Sequence, residues 1–316
     1  MSERRAVTRN AACVYSRSWA VVCLALVLGL AGCASTPLPT PPAPPPAVVV
    51  PPIPRPAPRI GLALGGGAAR GFAHVGVIQV LEEAGIRPSL VVGTSAGSLV
   101  AAIYASGRTG AQLQQIAQDM EEASLTDWTL PLFRRGVLRG DALARYVNQQ
   151  VGRRPIEAMA IPLGIVATDL DSGEGIVFRR GDTGVAVRAS SAIPALFQPV
   201  RIAGHDYVDG GLVAPVPVRF ARDMGADIVI AVDISGAPHG NGTDGVLQVL
   251  MQTFSIMGKS ISALELRGAD LVVRPVLKDI GSTDFAARKR SIEAGRSAML
   301  AALPTLNAQL ARWAAQ

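Results

Sequence analysis

The sequence predicts an α/β fold, with a mostly parallel central sheet between helices. Near-continuous apolar runs rich in Val, Ile and Leu, such as "RIGLAL", "SLVVG" and "ADIVIAVDI", read as strands buried on both faces. These runs alternate with helical patterns, the order that layers helices over a parallel sheet. Two of the runs pass through glycine-bearing turns, "GGGAARG" and "GTSAG", directly into helical patterns.

The 316-residue chain opens with Arg4, Arg5, Arg9 and Arg17 against one acid, Glu3. An uncharged apolar run of 13 residues follows, Trp19 to Ala31. A membrane span needs roughly 20 apolar residues, so the run and its basic lead match the hydrophobic core of a secretory signal. It ends in "LAGC", Leu30 to Cys33, which resembles the lipobox of bacterial lipoproteins. The resemblance implies thioether lipidation of Cys33 and cleavage before it, making residues 1–32 a signal peptide. Residues 33–58 then form a tether: "PLPTPPAPPPAVVVPPIPRPAP" is dense enough in proline to be extended and without a core. The expected location is the bacterial cell envelope, facing the periplasm. Ala34 is not the aspartate that commonly retains lipoproteins in the inner membrane, which favours the outer one.

Residues 59–316 read as one domain, without internal repeat or second linker. "RIGLAL" is its first strand, and "GFAHVGVIQVLEEAG" its first helix, stopped at Gly85. "SLVVG" is the second strand, with a helix from about Ala96. Later strands are expected at "IPLGIVATDL", "GIVF", "VRIAG", "DYVDG", "ADIVIAVDI" and "DLVVRPV". Helical patterns include "GDALARYVNQQV" and "GVLQVLMQTFSIMGKSISALELRG".

Composition excludes several classes of chemistry. All three cysteines, Cys13, Cys23 and Cys33, lie in the leader or at its end, so the domain has no thiol for a disulfide, a nucleophile or a metal. The formal charge is +6, and half of that belongs to the leader. No dense basic tract interleaved with aromatics argues for nucleic acid.

In "GTSAG", Gly93 to Gly97, a G-x-S-x-G pattern stands between a buried strand and a helix, the context of a nucleophile elbow. Ser95 is the candidate nucleophile. It needs a base and donors for an oxyanion. The N–H groups of Gly66, Gly67 and Ala68, at the end of the neighbouring strand, are candidate donors. A dinucleotide fingerprint from Gly65 would require glycine where Arg70 stands, and a phosphate-binding loop would require Lys-Ser/Thr where Phe72 and Ala73 stand. The base is less plain. His74 lies within an amphipathic helix, His205 in a turn and His239 in a loop. Asp209 in "YVDGG" ends a strand 114 positions after Ser95, but by itself this "DGG" reads as a turn aspartate.

Taken together and in order, "GGGAARG", "GTSAG" and "DGG" resemble the patatin-like phospholipases. The resemblance runs from about Arg59 to at least Pro217 and includes "ATDLDSGE" and "ASSAIPALFQPV". It implies a patatin-like three-layer sandwich and a lipid acyl hydrolase acting on phospholipids, lysophospholipids or other acyl esters. In that family a Ser-Asp dyad works without histidine, which implies Ser95 as nucleophile, Asp209 as base and Gly66, Gly67 and Ala68 as the oxyanion hole. Arg70 takes the family's basic position, and Gly71, Gly93, Gly97, Gly210 and Gly211 complete the motifs. No metal or cofactor is expected. Ala68 stands where the family often has a glycine. Asp169 is the reserve base, and Asp171 and Asp233 are expected to be structural or loop acids. An aspartate base stays ionised across neutral pH, so activity is not expected to fall with an imidazole-like midpoint near 6.5. The second reading is a catalytically weak lipid-binding or envelope-structural protein on the same fold.

Overall fold

The computed structural model describes residues 56–120, 136–236, 245–281 and 283–315. The leader, Cys33, the tether up to residue 55 and His239 lie outside the described residues.

In chain order the strands are β1 (Ile60–Leu64), β2 (Leu90–Thr94), β3 (Gly136–Leu138), β4 (Leu163–Asp169), β5 (Gly175–Phe178), β6 (Ala195–Phe197), β7 (Val200–Ile202), β8 (His205–Asp209), β9 (Ile228–Val232) and β10 (Leu271–Val273). The helices are α1 (Ala73–Glu83), α2 (Ala96–Ala105), α3 (Gly110–Asp119), α4 (Asp141–Gln150), α5 (Thr183–Ser190), α6 (Val218–Asp223), α7 (Val246–Glu265) and α8 (Arg288–Ala314). None of these helices is long and apolar enough to cross a membrane.

The main sheet has eight strands, ordered β10-β9-β1-β2-β4-β8-β7, with β5 also on β4. From β10 to β4 every pairing is parallel. β5 and β8 run antiparallel to β4, and β7 antiparallel to β8. β3 and β6 form a separate two-stranded parallel pair. The architecture is thus the α/β sandwich with a largely parallel sheet.

Strand periodicity divides the core in two, because successive side chains point to opposite faces. Leu62, Leu64, Val91, Ile228, Ile230 and Val232 face a core shared with α1, α2 and α8. Ala63, Leu90, Val92, Val229 and Ala231 face a second core with Val218, Phe220 and Ala221 of α6. Both faces are covered, which is why these strands read as unbroken apolar runs.

The 27-residue α8 is not among the elements expected from the sequence. Pro304 inside it and Gly295 near its start both argue locally against a long helix. Packing overrides them. A Cβ at Gly295 would collide with the Ala73 carbonyl, and one at Gly76 with the Ile292 carbonyl. The two glycines therefore let α8 lie backbone-to-backbone against α1, which leads away from the glycine turn after β1.

Candidate active site

β1 and β2 are parallel neighbours, with Leu64 beside Gly93, so the turns that follow them meet at one edge of the sheet. Ser95 sits between β2 and α2 with φ 52° and ψ −123°, outside the regions an L-residue normally occupies. Such a conformation costs on the order of 1–3 kcal/mol and persists only where its surroundings enforce it. Here they do. A Cβ at Gly93 would strike the Gly97 carbonyl, and one at Gly97 would strike the Leu64 carbonyl, so only glycines close the elbow onto β1.

The Ser95 hydroxyl donates to Asp209 Oδ2 at 2.7 Å. Asp209 is brought there by the register of β8 on β4, which pairs it with Ala167. Its own backbone is held at both ends: its N–H donates to the Ala192 carbonyl at 3.0 Å, and Thr168 Oγ1 donates to its carbonyl at 2.9 Å. Asp209 Oδ1 accepts from the Gly211 N–H at 2.7 Å. Burial raises the Asp209 carboxyl to about 6, against the opposing effect of the bonds from Gly211 and Ser95. A carboxylate with weakened solvation is a stronger base than one in water.

Ser190, at the end of α5, is a contributor that sequence reasoning missed. Its hydroxyl accepts the Ser95 N–H at 2.8 Å and donates to the Val166 carbonyl at 2.6 Å, tying elbow to β4. The segment "ASSAIPALF" signals nothing of this, because a buried serine in a helix looks like any small residue until its neighbours are known.

Gly66, Gly67 and Ala68 are all in the turn beside the elbow; a Cβ at Gly66 would lie 3.2 Å from Ser95 Cβ. They are not equivalent donors. The Gly66 N–H donates to the Pro215 carbonyl at 2.9 Å, which corrects the expectation that it faces an oxyanion. The same peptide is pinned from its other side, where His74 Nε2–H donates to the Gly65 carbonyl at 2.8 Å. For the N–H groups of Gly67 and Ala68 no partner exists among the described residues. Ala68 adopts φ +50°, the conformation a glycine takes without cost. Gly71 closes the turn where a Cβ would press on Ala96 Cβ at 2.9 Å, and a Cβ at Gly210 would strike the Val166 carbonyl.

The two histidines among the described residues are elsewhere. His74 is fully buried, and burial lowers it to about 4, so it is a neutral imidazole holding the glycine turn. Its Nδ1 has no partner among the described residues. His205 Nδ1 pairs with Asp169 Oδ2 at 3.0 Å. Asp169, the reserve base, also accepts from the N–H groups of Asp171 and Ser172, and these bonds hold its carboxyl below the usual range. It is therefore an anchor for its own turn. Asp169, Asp171 and His205 bring three ligand atoms within 4.8 Å of one another, yet the Asp169 oxygens are already taken by that turn and that imidazole. Asp233 holds Ser235 and Arg274.

A family model described as patatin-like phospholipase matches residues 62–222, half of the chain and an interval that contains both Ser95 and Asp209. An uncharacterized NTE family protein of Mycobacterium tuberculosis is 36% identical over 207 residues, 65% of this chain and 57% of that one. Patatin-like phospholipase domain-containing protein 6 of Mus musculus is 35% identical over 183 residues, 55% of this chain and 13% of that one. This chain thus spans little more than half the length of the first relative and far less of the second. The crystal structure of VipD from Legionella pneumophila superposes with a TM-score of 0.55 at 16% identity, covering 80% of this chain and 68% of that one, a likeness of fold.

Proposed function

This chain belongs to the patatin-like phospholipase family, and from that premise we propose that it is a serine acyl hydrolase cleaving acyl esters of phospholipids or lysophospholipids through a dyad of Ser95 and Asp209. The observation that carries the proposal is the 2.7 Å hydrogen bond from the Ser95 hydroxyl to a buried carboxylate.

In the first half-reaction Ser95 Oγ attacks the acyl carbonyl carbon while its proton passes to Asp209 Oδ2. The carbonyl π electrons move to oxygen, giving a tetrahedral oxyanion that accepts from the Gly67 and Ala68 N–H groups. Collapse breaks the bond to the alcohol, which leaves with the proton held by Asp209. In the second half-reaction water gives a proton to Asp209 and attacks the acyl-serine carbonyl; the second oxyanion collapses, the bond to Ser95 Oγ breaks, and Asp209 returns the proton to Ser95 as the fatty acid leaves. Aspartate is a weak base for a serine hydroxyl, so donors aimed at the developing charge carry much of the rate. The raised basicity of Asp209 narrows the mismatch.

We further propose that lipidated Cys33 and the proline-rich tether hold the domain at the cell envelope, facing the periplasm and most consistent with the outer membrane. The support is the "LAGC" sequence and the composition of residues 37–58.

The direct test is labelling with a fluorophosphonate, paired with release of fatty acid from a panel of acyl esters and phospholipids. Labelling and hydrolysis that both vanish in Ser95→Ala support the proposal. A wild-type protein that neither labels nor hydrolyses but binds lipid would favour the non-catalytic reading.

A further inference from the structure

The Gly67 carbonyl oxygen accepts two hydrogen bonds from one residue, the Arg70 backbone N–H at 3.2 Å and Arg70 Nε–H at 3.3 Å. The Gly67–Ala68 peptide is planar and trans, so its N–H points opposite to its C=O. Drawing the carbonyl toward Arg70 turns the Ala68 N–H away from Arg70.

That orientation works against Ala68. Its φ of +50° costs an L-residue on the order of 1–2 kcal/mol. The relief open to the chain is rotation of the Gly67–Ala68 peptide, which brings φ of Ala68 negative and reverses carbonyl and N–H together. Arg70 opposes the rotation, because it would leave both Arg70 donors without their acceptor. The guanidinium is itself seated: it lies against Gly236 so closely that a Cβ there would collide with Nη1. Asp233 attracts its charge, although burial is the larger influence on it.

The geometry points to Arg70 as a positioning residue, which locks the Gly67–Ala68 peptide so that the Ala68 N–H is presented to the oxyanion formed on Ser95. The inference rests on the acyl-hydrolase reading above. It assigns Arg70 no contact with substrate.

The test is a double-mutant cycle read on a neutral, water-soluble short-chain ester and on an anionic phospholipid. Arg70→Met is expected to lower kcat on the neutral ester by about 100-fold, the scale for losing one oxyanion donor, with KM within about threefold. The second variant of the cycle is Ala68→Gly, which keeps the backbone N–H and removes the Cβ that makes φ +50° costly. Combined with Arg70→Met it is expected to recover at least about tenfold in kcat, because glycine removes the strain that drives the peptide over. Gly236→Ala, which displaces the guanidinium without removing it, is expected to give the same kcat-only loss and supplies a second route if Arg70→Met folds poorly. Unchanged kcat on the neutral ester with a raised KM for the anionic phospholipid would make Arg70 a headgroup contact and overturn the inference. So would an equal loss in the single and double variants. A wild-type protein without Ser95-dependent turnover would instead fail the hydrolase reading itself.

Discussion

Ser95 Oγ and Asp209 Oδ2 stand 2.7 Å apart across 114 residues of chain, and the carboxylate is buried. Each further bond on the Asp209 carboxylate comes from backbone, so Ser95 is the one side chain it engages among the described residues. With Ser95 and Asp209 as the proposed dyad, Asp209→Asn is expected to lower turnover by at least about 1,000-fold, because an amide cannot take the serine proton. His74→Gln, His205→Gln and His239→Gln are each expected to keep substantial activity. Steady-state kinetics on the four variants checks this; loss in one histidine variant with Asp209→Asn still active would put a histidine in the base's place.

The pH dependence differs from what an unperturbed aspartate gives. Burial places the Asp209 carboxyl at about 6, so kcat/KM is expected to fall as pH drops through about 6, when the base becomes protonated. That midpoint lies close to the imidazole-like value of about 6.5 at which an unperturbed aspartate gives no fall, and burial is what moves it there. A pH–rate profile on wild type and on His74→Gln separates the two groups: the acid limb should be the same in both.

The same burial makes Asp209 a stability cost at working pH. Its folded value of about 6 lies above the roughly 3.9 of an exposed aspartate. The folded state therefore binds this proton more tightly, and the contribution of Asp209 to stability is fullest below about 4 and declines as pH rises through about 6. Two pKa units correspond to about 3 kcal/mol as an upper bound. Asp209→Asn is expected to be more stable than wild type at pH 7–8, with the advantage shrinking toward pH 4. Urea unfolding at three pH values measures it, and a variant less stable than wild type at pH 8 contradicts it.

Gly67→Val is expected to reduce turnover by about 100-fold or more, the scale of one lost oxyanion donor. The added Cβ would lie 2.8 Å from Ile234 Cδ1 and 3.0 Å from the Ile234 carbonyl, so the damage comes from pushing the turn off the segment that follows β9 rather than from filling the space over Ser95. Turnover equal to wild type would mean the glycine serves packing alone.

Cys33→Ser is expected to release the protein from the membrane fraction, and the mature wild-type N-terminus is expected to begin at lipidated Cys33. Mass spectrometry of the envelope fraction checks both. An intact Met1 there, or membrane retention of the variant, contradicts the anchor.

What the sequence determined by itself was whatever is local. The turn "GTSAG" needs a buried strand before it, a helix after it and glycines on either side of Ser95, and all of these lie within a few residues. The double-faced strands were equally legible, since burial on both faces leaves unbroken runs such as "IVIAV". The tertiary structure alone decided the rest. Asp209 is a turn aspartate until the β4–β8 register pairs it with Ala167 and sets it beside the elbow. Gly66 and Gly67 are indistinguishable as letters, and the Pro215 carbonyl, reached through a loop about 150 residues on, occupies one N–H and not the other. Ser190, the placement of α8 across Pro304 and the raised Asp209 carboxyl belong to the same class. Each depends on groups far apart in the chain meeting in a space closed to water, and neither a hydrogen-bond partner nor a local dielectric is written in the neighbouring residues.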